Sequence, residues 1–270
     1  MARYLIVNAD DFGMCHSANL AVKNLFENKR IKSTTIITVA PWAKEAVKMI
    51  KEDPKLIRAG VHITHTSEWD TYRWRGFLDI KELQDNDRCF FKTTDEALKV
   101  DIDLRIKEAK AQIQWAIDQG IEITHLDNHM RTCMDHEEEL LKICYEHNWG
   151  YRIHAQDGVS DKDLEYLKDH DVSVPDYLNY TDGKVVSDNM TYESHAAMYK
   201  HMLHVMPEGI TEWFSHPALE TDELKAIAPD WRIRVNDYRF LMSDEFIETL
   251  KEENIQLIGY EDIAIIRGKR

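Results

Sequence analysis

Residues 4–13 read Y-L-I-V-N-A-D-D-F-G: a short apolar run, one asparagine, two adjacent acids, then phenylalanine and glycine. The branched residues of 4–7 mark a β-strand, and Asp10 and Asp11 follow at its carboxyl end. Residues 17–28 then show helical spacing through Leu20, Val22, Leu25 and Phe26. Residues 34–39 are rich in β-branched side chains. Pro41 opens a helical stretch to Ile50 as a first-turn proline. Residues 56–63 form the next strand. A long amphipathic stretch over 94–119 ends at Gly120, a natural helix stop. Strand 121–125, helical signal to about Tyr145 and a short strand over 151–154 continue the series. Strands 211–215 and 255–258, with helices between, complete it. Strand and helix in regular alternation predict parallel βα units, about seven of them, as a barrel or a doubly wound sheet. Residues 64–88 and 173–189 are the irregular stretches. The first holds Trp69, Tyr72, Trp74 and Phe77, suited either to stacking on sugar rings or to packing on the domain and a homodimer interface.

Composition narrows the function. The 270 residues fit one domain spanning 1–270, with 43% hydrophobic and 31% charged residues. Lys and Arg total 34 against 49 Asp and Glu, a formal charge of −15. Such a surface repels nucleic acid and anionic membranes as main partners, while leaving room for a local basic pocket. Cys15, Cys89, Cys133 and Cys144 form no C-x-x-C pair and suit free thiols in a reducing compartment. The apolar run 4–7 is too short for a signal-peptide core, and no stretch approaches the roughly 20 residues of a membrane span, so a cytoplasmic location is expected.

Acids and histidines gather at predicted strand ends: Asp10 and Asp11, then His62, then His125, Asp127 and His129, then His216. In parallel α/β folds those ends share one face, where active sites lie. Each residue alone has a plainer reading, as a helix cap, a core histidine or a solvated pair. Their coincidence at four strand ends points to one shared site. Imidazoles with a carboxylate suit Zn²⁺, Fe²⁺, Mn²⁺ or Co²⁺ better than Ca²⁺. Spacing alone does not choose the ligands.

The segments LIVNADDFG (5–13), GVHITHT (60–66), THLDNH (124–129) and SHPA (215–218) resemble, in order, those of the YdjC-like carbohydrate deacetylases. That family includes chito-oligosaccharide deacetylases acting on N-acetylated chitobiose and its phosphate. The resemblance implies a distorted (β/α) barrel related to the polysaccharide-deacetylase fold. It implies a divalent metal, Mg²⁺ or Zn²⁺, held by Asp11, His62 and His129, with Asp10 as general base and His216 as general acid. His125 and Asp127 are then groups behind the ligands or in contact with a small carbohydrate substrate. Family members commonly continue the middle motif with further histidines, where this chain has Met130, Arg131 and Thr132. Arg131, and Arg152 in the short strand, are candidate contacts for an anionic group on the substrate. Arg131 could equally pair with a local acid such as Asp135. Two rival functions remain: a glycosidase using Asp10 or Asp11 with Asp127, and a sugar-binding protein that keeps the barrel without the chemistry.

Overall fold

The computed structural model describes residues 2–135, 137–153, 161–179 and 191–268. Along the chain it runs β1 (Arg3–Phe12), α1 (His16–Glu27), β2 (Ser33–Ile36), α2 (Ala43–Glu52) and β3 (Ala59–Ile63). A long loop leads to α3 (Thr94–Ala97), α4 (Ile102–Asp118), β4 (His125–Asn128), α5 (Glu137–His147) and β5 (Gly150–Tyr151). Then come α6 (Asp161–Asp169), β6 (Tyr177–Leu178), α7 (Tyr192–Val205), β7 (Gly209–Ser215), α8 (Asp222–Ile227), α9 (Trp231–Met242), α10 (Asp244–Glu252), β8 (Ile255–Leu257) and α11 (Asp262–Ile266).

The strands form one parallel sheet in the order β5-β4-β3-β2-β1-β7-β6, with β8 also paired to the start of β1. Strands near opposite ends of that order meet through side chains. Arg152, just after β5, donates to Glu212 on β7 at 2.8 Å. The sheet therefore curls into an incomplete barrel, as the family resemblance implied and as one of the two forms that the alternation of strand and helix allowed. Its helices cover the outside, and Leu5, Val7, Val61 and Leu126 are fully buried in the main core.

The departures from the sequence reading have local causes. The expected helix over 94–119 is two helices, because Asp101 accepts a hydrogen bond from the Asp103 backbone and caps a new start. Gly120 does end it, in a left-handed conformation with φ 74°. The strand expected over 121–125 lies at His125–Asn128, where β3 and β5 flank it on both sides. Ile121 and Ile123 still face the core ahead of it. The two-residue β6 falls inside the stretch 173–189 that had no periodicity; residues 180–189 and His154, the last residue of the expected strand 151–154, lie outside the described residues.

The aromatic loop 64–88 folds over the carboxyl ends of the strands as a second, smaller core. Trp69 and Trp74 are buried with Met14, Ile37 and Phe90, and Tyr72 donates to the Met14 carbonyl at 2.6 Å. Packing therefore takes up most of this loop's aromatic surface. Phe77 stays exposed, stacked on Trp115.

Candidate metal centre

Regular strand geometry points neighbouring side chains to opposite faces, so Asp10 and Asp11 should not share a site. The chain solves this with a break in register between Ala9 and Phe12, where β1 pairs β2. Asp11 takes the left-handed φ of 64°, an uncommon conformation that aspartate tolerates better than most residues. Gly13 completes the turn at φ 93°, where a Cβ would stand 3.0 Å from Ala43 Cα and 3.2 Å from the Ile37 carbonyl. Both carboxylates thus reach the interior of the curled sheet.

There Asp11 meets His62, from β3, and His129, from the tight turn after β4. Asp11 Oδ1 lies 3.5 Å from His62 Nε2 and 3.5 Å from His129 Nδ1, and the two ring nitrogens are 3.3 Å apart. All three residues are at most 5% exposed. Asp11 Oδ1 is buried without a hydrogen-bond partner among the described residues. A buried, unpartnered carboxylate oxygen is costly, and a cation is what relieves it. The separations match the edges of a tetrahedron with metal–ligand bonds of about 2.0–2.1 Å. Two imidazoles and a carboxylate, mutually adjacent, fit a divalent ion.

Each donor has a partner behind it. Asp11 Oδ2 accepts from Arg234 at 2.7 Å. His62 Nδ1 lies 2.6 Å from Asp127 Oδ1, and His129 Nε2 lies 3.2 Å from both oxygens of Glu68. Such partners fix ring orientation and ligand basicity. Burial favours the neutral acid at Asp11, but Arg234, His129 and His216 together outweigh it and hold the carboxyl well below the usual range. Burial opposes charge on both imidazoles as well. At His129, Glu68 and Asp11 reverse that and raise it to about 10; at His62, Asp127 and Asp10 raise it too.

Beneath the three donors lies a closed ionic layer. Arg152 clamps Asp10 with two hydrogen bonds of 2.8 and 2.7 Å, reaches Asp127 at 2.9 Å, and donates to Glu212 at 2.8 Å. Glu212 also accepts from Tyr260 at 2.5 Å. Asp127 accepts from Thr35 at 2.9 Å. The second possible metal group, Asp10 with His62 and Asp127, is less suited to an ion, because Arg152 already pairs with both its acids. His125 is fully buried, stacked on Tyr260 with ring centroids 3.8 Å apart, and its burial pulls it down to about 3. The structure places His125, Asp127 and Arg152 behind the ligands, out of reach of a bound molecule. For Arg152 this corrects the expectation of a substrate contact: its guanidinium is engaged by carboxylates on every side and it is 2% exposed.

The open side is different. His216 follows β7 with 32% of its side chain exposed and places Nε2 4.0 Å from Asp10 Oδ2. Asp10 Oδ2 in turn lies 3.8 Å from His62 Nε2. A carboxylate and an imidazole therefore stand beside the donor triad, one buried and one reaching solvent.

The YdjC-like protein family model matches residues 4–252. The chain belongs to the YdjC-like family. A carbohydrate deacetylase of Thermoanaerobacter pseudethanolicus is 29% identical to this YdjC-like chain over 266 residues, 96% of this chain and 98% of its own length. One from Listeria monocytogenes is 27% identical over 267 residues, 96% and 99% of the two lengths. The crystal structure described as a cellobiose-phosphate cleavage protein from Enterococcus faecalis superposes with a TM-score of 0.76 at 24% identity. It covers 97% of this chain and 99% of its own, and shows the same fold.

Within this YdjC-like chain, Met130 and Arg131 both adopt left-handed backbone conformations, φ 53° and 59°. They follow the candidate ligand His129 directly and line an apolar hollow of about 680 Å³ with Leu98 and Met134. Asp135, the alternative partner for Arg131, is held by two hydrogen bonds from Arg105 at 2.8 and 2.5 Å. A larger cleft of about 780 Å³ runs between the end of β2 and the aromatic loop, with Lys44, Arg73, Arg75 and Arg88 on its walls. Trp74, which lines it, also packs 6.5 Å from the His129 ring. Glu68, Arg234 and Asp237 are the site residues that sequence reasoning missed. Only Glu68 carried a signal, as an acid two residues beyond the GVHITHT segment.

Proposed function

We propose that this chain is a metal-dependent hydrolase that removes the acetyl group from an N-acetylated sugar, releasing acetate. The observation that carries the reading is Asp11 Oδ1, buried and unpartnered between His62 and His129, with Asp10 and His216 beside it. Asp11, His62 and His129 would hold the ion. When bound, a divalent ion there polarises the amide carbonyl and eases deprotonation of water. Asp10, fixed by Arg152 and by Asn8 at 2.8 Å, takes the proton of the attacking water at Oδ2. His216, with its ring open to solvent, donates a proton to the departing amine. The names of the relatives support the carbohydrate substrate.

The donor set favours a transition metal such as Zn²⁺ on chemistry, while the family resemblance allows Mg²⁺. A phosphorylated disaccharide such as chitobiose phosphate fits the basic cleft, where exposed Lys44 and Arg75 would meet the anion, with Arg131 as a further contact. The acidic chain argues against nucleic acid or membrane partners, and no helix among the described residues is long and apolar enough to cross a membrane. Unpaired Cys15, Cys89, Cys133 and Cys144 support a cytoplasmic, reducing setting. We infer a single catalytic domain. A homodimer would have to use surface other than Trp69 and Trp74. The glycosidase reading loses its second acid, since Asp127 is fully buried under Arg152 and His62.

The test is acetate release from N-acetylated chitobiose and its 6-phosphate by metal-stripped protein, with and without added divalent ions. Metal-dependent acetate with the glycosidic bond intact is expected. Folded protein that binds these sugars but releases no acetate with any ion would leave only the binding reading.

A further inference from the structure

Helix α9 carries two buried charged side chains one turn apart, and each ends on a different part of the centre. Arg234 donates through Nη1 to Asp11 Oδ2 at 2.7 Å and through Nε to Asp230 Oδ2 at 2.9 Å. Its guanidinium lies 5.4 Å from the centroid of the Trp69 ring. Asp237, three residues on, accepts the His216 backbone N–H at Oδ2 at 2.8 Å and the Tyr199 hydroxyl at Oδ1. Arg234 is 4% exposed and Asp237 1%. Residues three apart share a helix face, so both contacts move with α9 as one body.

We propose that α9 is the positioning element of the centre: Arg234 restricts Asp11 to one donor oxygen, and Asp237 sets where His216 stands beside Asp10. The proposal rests on reading Asp11 as a ligand and His216 as the proton donor. A carboxylate with both oxygens free can chelate an ion and use up two coordination positions. Here a charged hydrogen bond occupies Oδ2, leaving only Oδ1 toward His62 and His129. The Asp237 contact is made to the His216 backbone and not to its ring. It fixes the root of the side chain and leaves the ring nitrogens available for proton transfer.

The two arms predict separate signatures in the full chain loaded with Co²⁺. Arg234→Gln is expected to lower the visible molar absorptivity of bound Co²⁺, as the released oxygen adds a ligand; Arg234→Lys, which keeps a donor, should restore part of the band. Asp237→Ala should leave that spectrum unchanged, speed hydrogen exchange of the His216 amide at least tenfold, and lower kcat with KM retained. Asp237→Asn, which keeps one acceptor, should fall between. A wild-type Co²⁺ spectrum in Arg234→Gln, or an unchanged His216 amide in Asp237→Ala, overturns the proposal. So does a common loss of both readouts that tracks only melting temperature. The spectrum and the amide exchange need no turnover, so a failed deacetylase assay would leave this inference separately decided.

Discussion

Two groups of ionisable side chains share the interior of the curled sheet in opposite states. In the lower group, Arg152 is surrounded by Asp10, Asp127 and Glu212, with Tyr260 and Thr35 closing the remaining acceptors. In the upper group, Asp11, His62 and His129 aim three donor atoms at one point with nothing between them. Both groups are almost wholly buried. The difference is saturation: the lower carboxylates are held by Arg152, Tyr260 and Thr35, while Asp11 Oδ1 in the upper group has no hydrogen-bond partner among the described residues. Asp10 belongs to both, clamped from below by Arg152 and facing His62 and His216 above. The lower layer thus serves as a floor that orients Asp10, the proposed base.

The sharpest way to break this comparison is to neutralise the two adjacent acids in turn. Asp11→Asn should lose bound metal and acetate release together. Asp10→Asn should keep stoichiometric metal while turnover falls by about 10²–10⁴, the usual contribution of a general base. Metal content and acetate release on the same samples decide it; equal metal loss in both variants would erase the distinction. Arg152→Met comes next and tests the floor. It leaves three buried carboxylates without their cation, which should cost about 3–5 kcal/mol in urea denaturation of the metal-free protein. A stability change below about 1 kcal/mol would mean that the layer is not held by that charge.

Glu68→Gln asks whether the upper group depends on its outer partners. Removing the carboxylate behind a ligating histidine typically weakens metal binding about 10–100-fold. Competition against a chromophoric chelator should show a loss of that size with the fold intact, and an unchanged affinity would place Glu68 outside the centre's machinery.

How much of this could be seen in the sequence follows from the same contrast. The cluster was legible because its acids and histidines sit at predicted strand ends, where a parallel fold collects its chemistry; the choice of Asp11, His62 and His129 within it came from the family resemblance. Arg152 was legible as a charge near the site but not as a saturated one, because its carboxylate partners come from β1, β4 and β7 and no local pattern pairs them. Arg234 and Asp237 were hidden in R-I-R-V-N-D, which reads as the polar face of an ordinary amphipathic helix. Asp11 needed a bulge and a left-handed φ to reach the site, and strand alternation alone would have turned it away. The break at Asp101 and the two residues of β6 depend on a single cap and on a neighbour strand, signals too short for periodicity to register.

The smallest effect concerns two histidines that the centre does not use. Burial pulls His65 down to about 4, despite its hydrogen bond to the Arg105 carbonyl at 2.9 Å, and His125 down to about 3. Both folded values lie below the unfolded value near 6.5. The unfolded chain therefore takes up a proton below that pH while the folded chain does not. Each neutral imidazole contributes stability that is present above pH ~6.5 and falls by about 1.4 kcal/mol per pH unit as the medium is acidified. For His65 the decline should stop near pH 4, and for His125 it should continue to about pH 3. The carboxylates held low by arginine, Asp11 and Asp127, add their own loss only below the unfolded carboxyl value near 3.9. Glu137, which burial raises to about 8, works in the opposite sense over part of the window from 6.5 to 4, so one imidazole is isolated only by the difference between two proteins. Denaturation of wild type and His65→Gln across that window should give curves that converge toward acid, since the variant lacks one proton uptake. Parallel curves would show that His65 takes up its proton in the folded protein as it does in the unfolded chain.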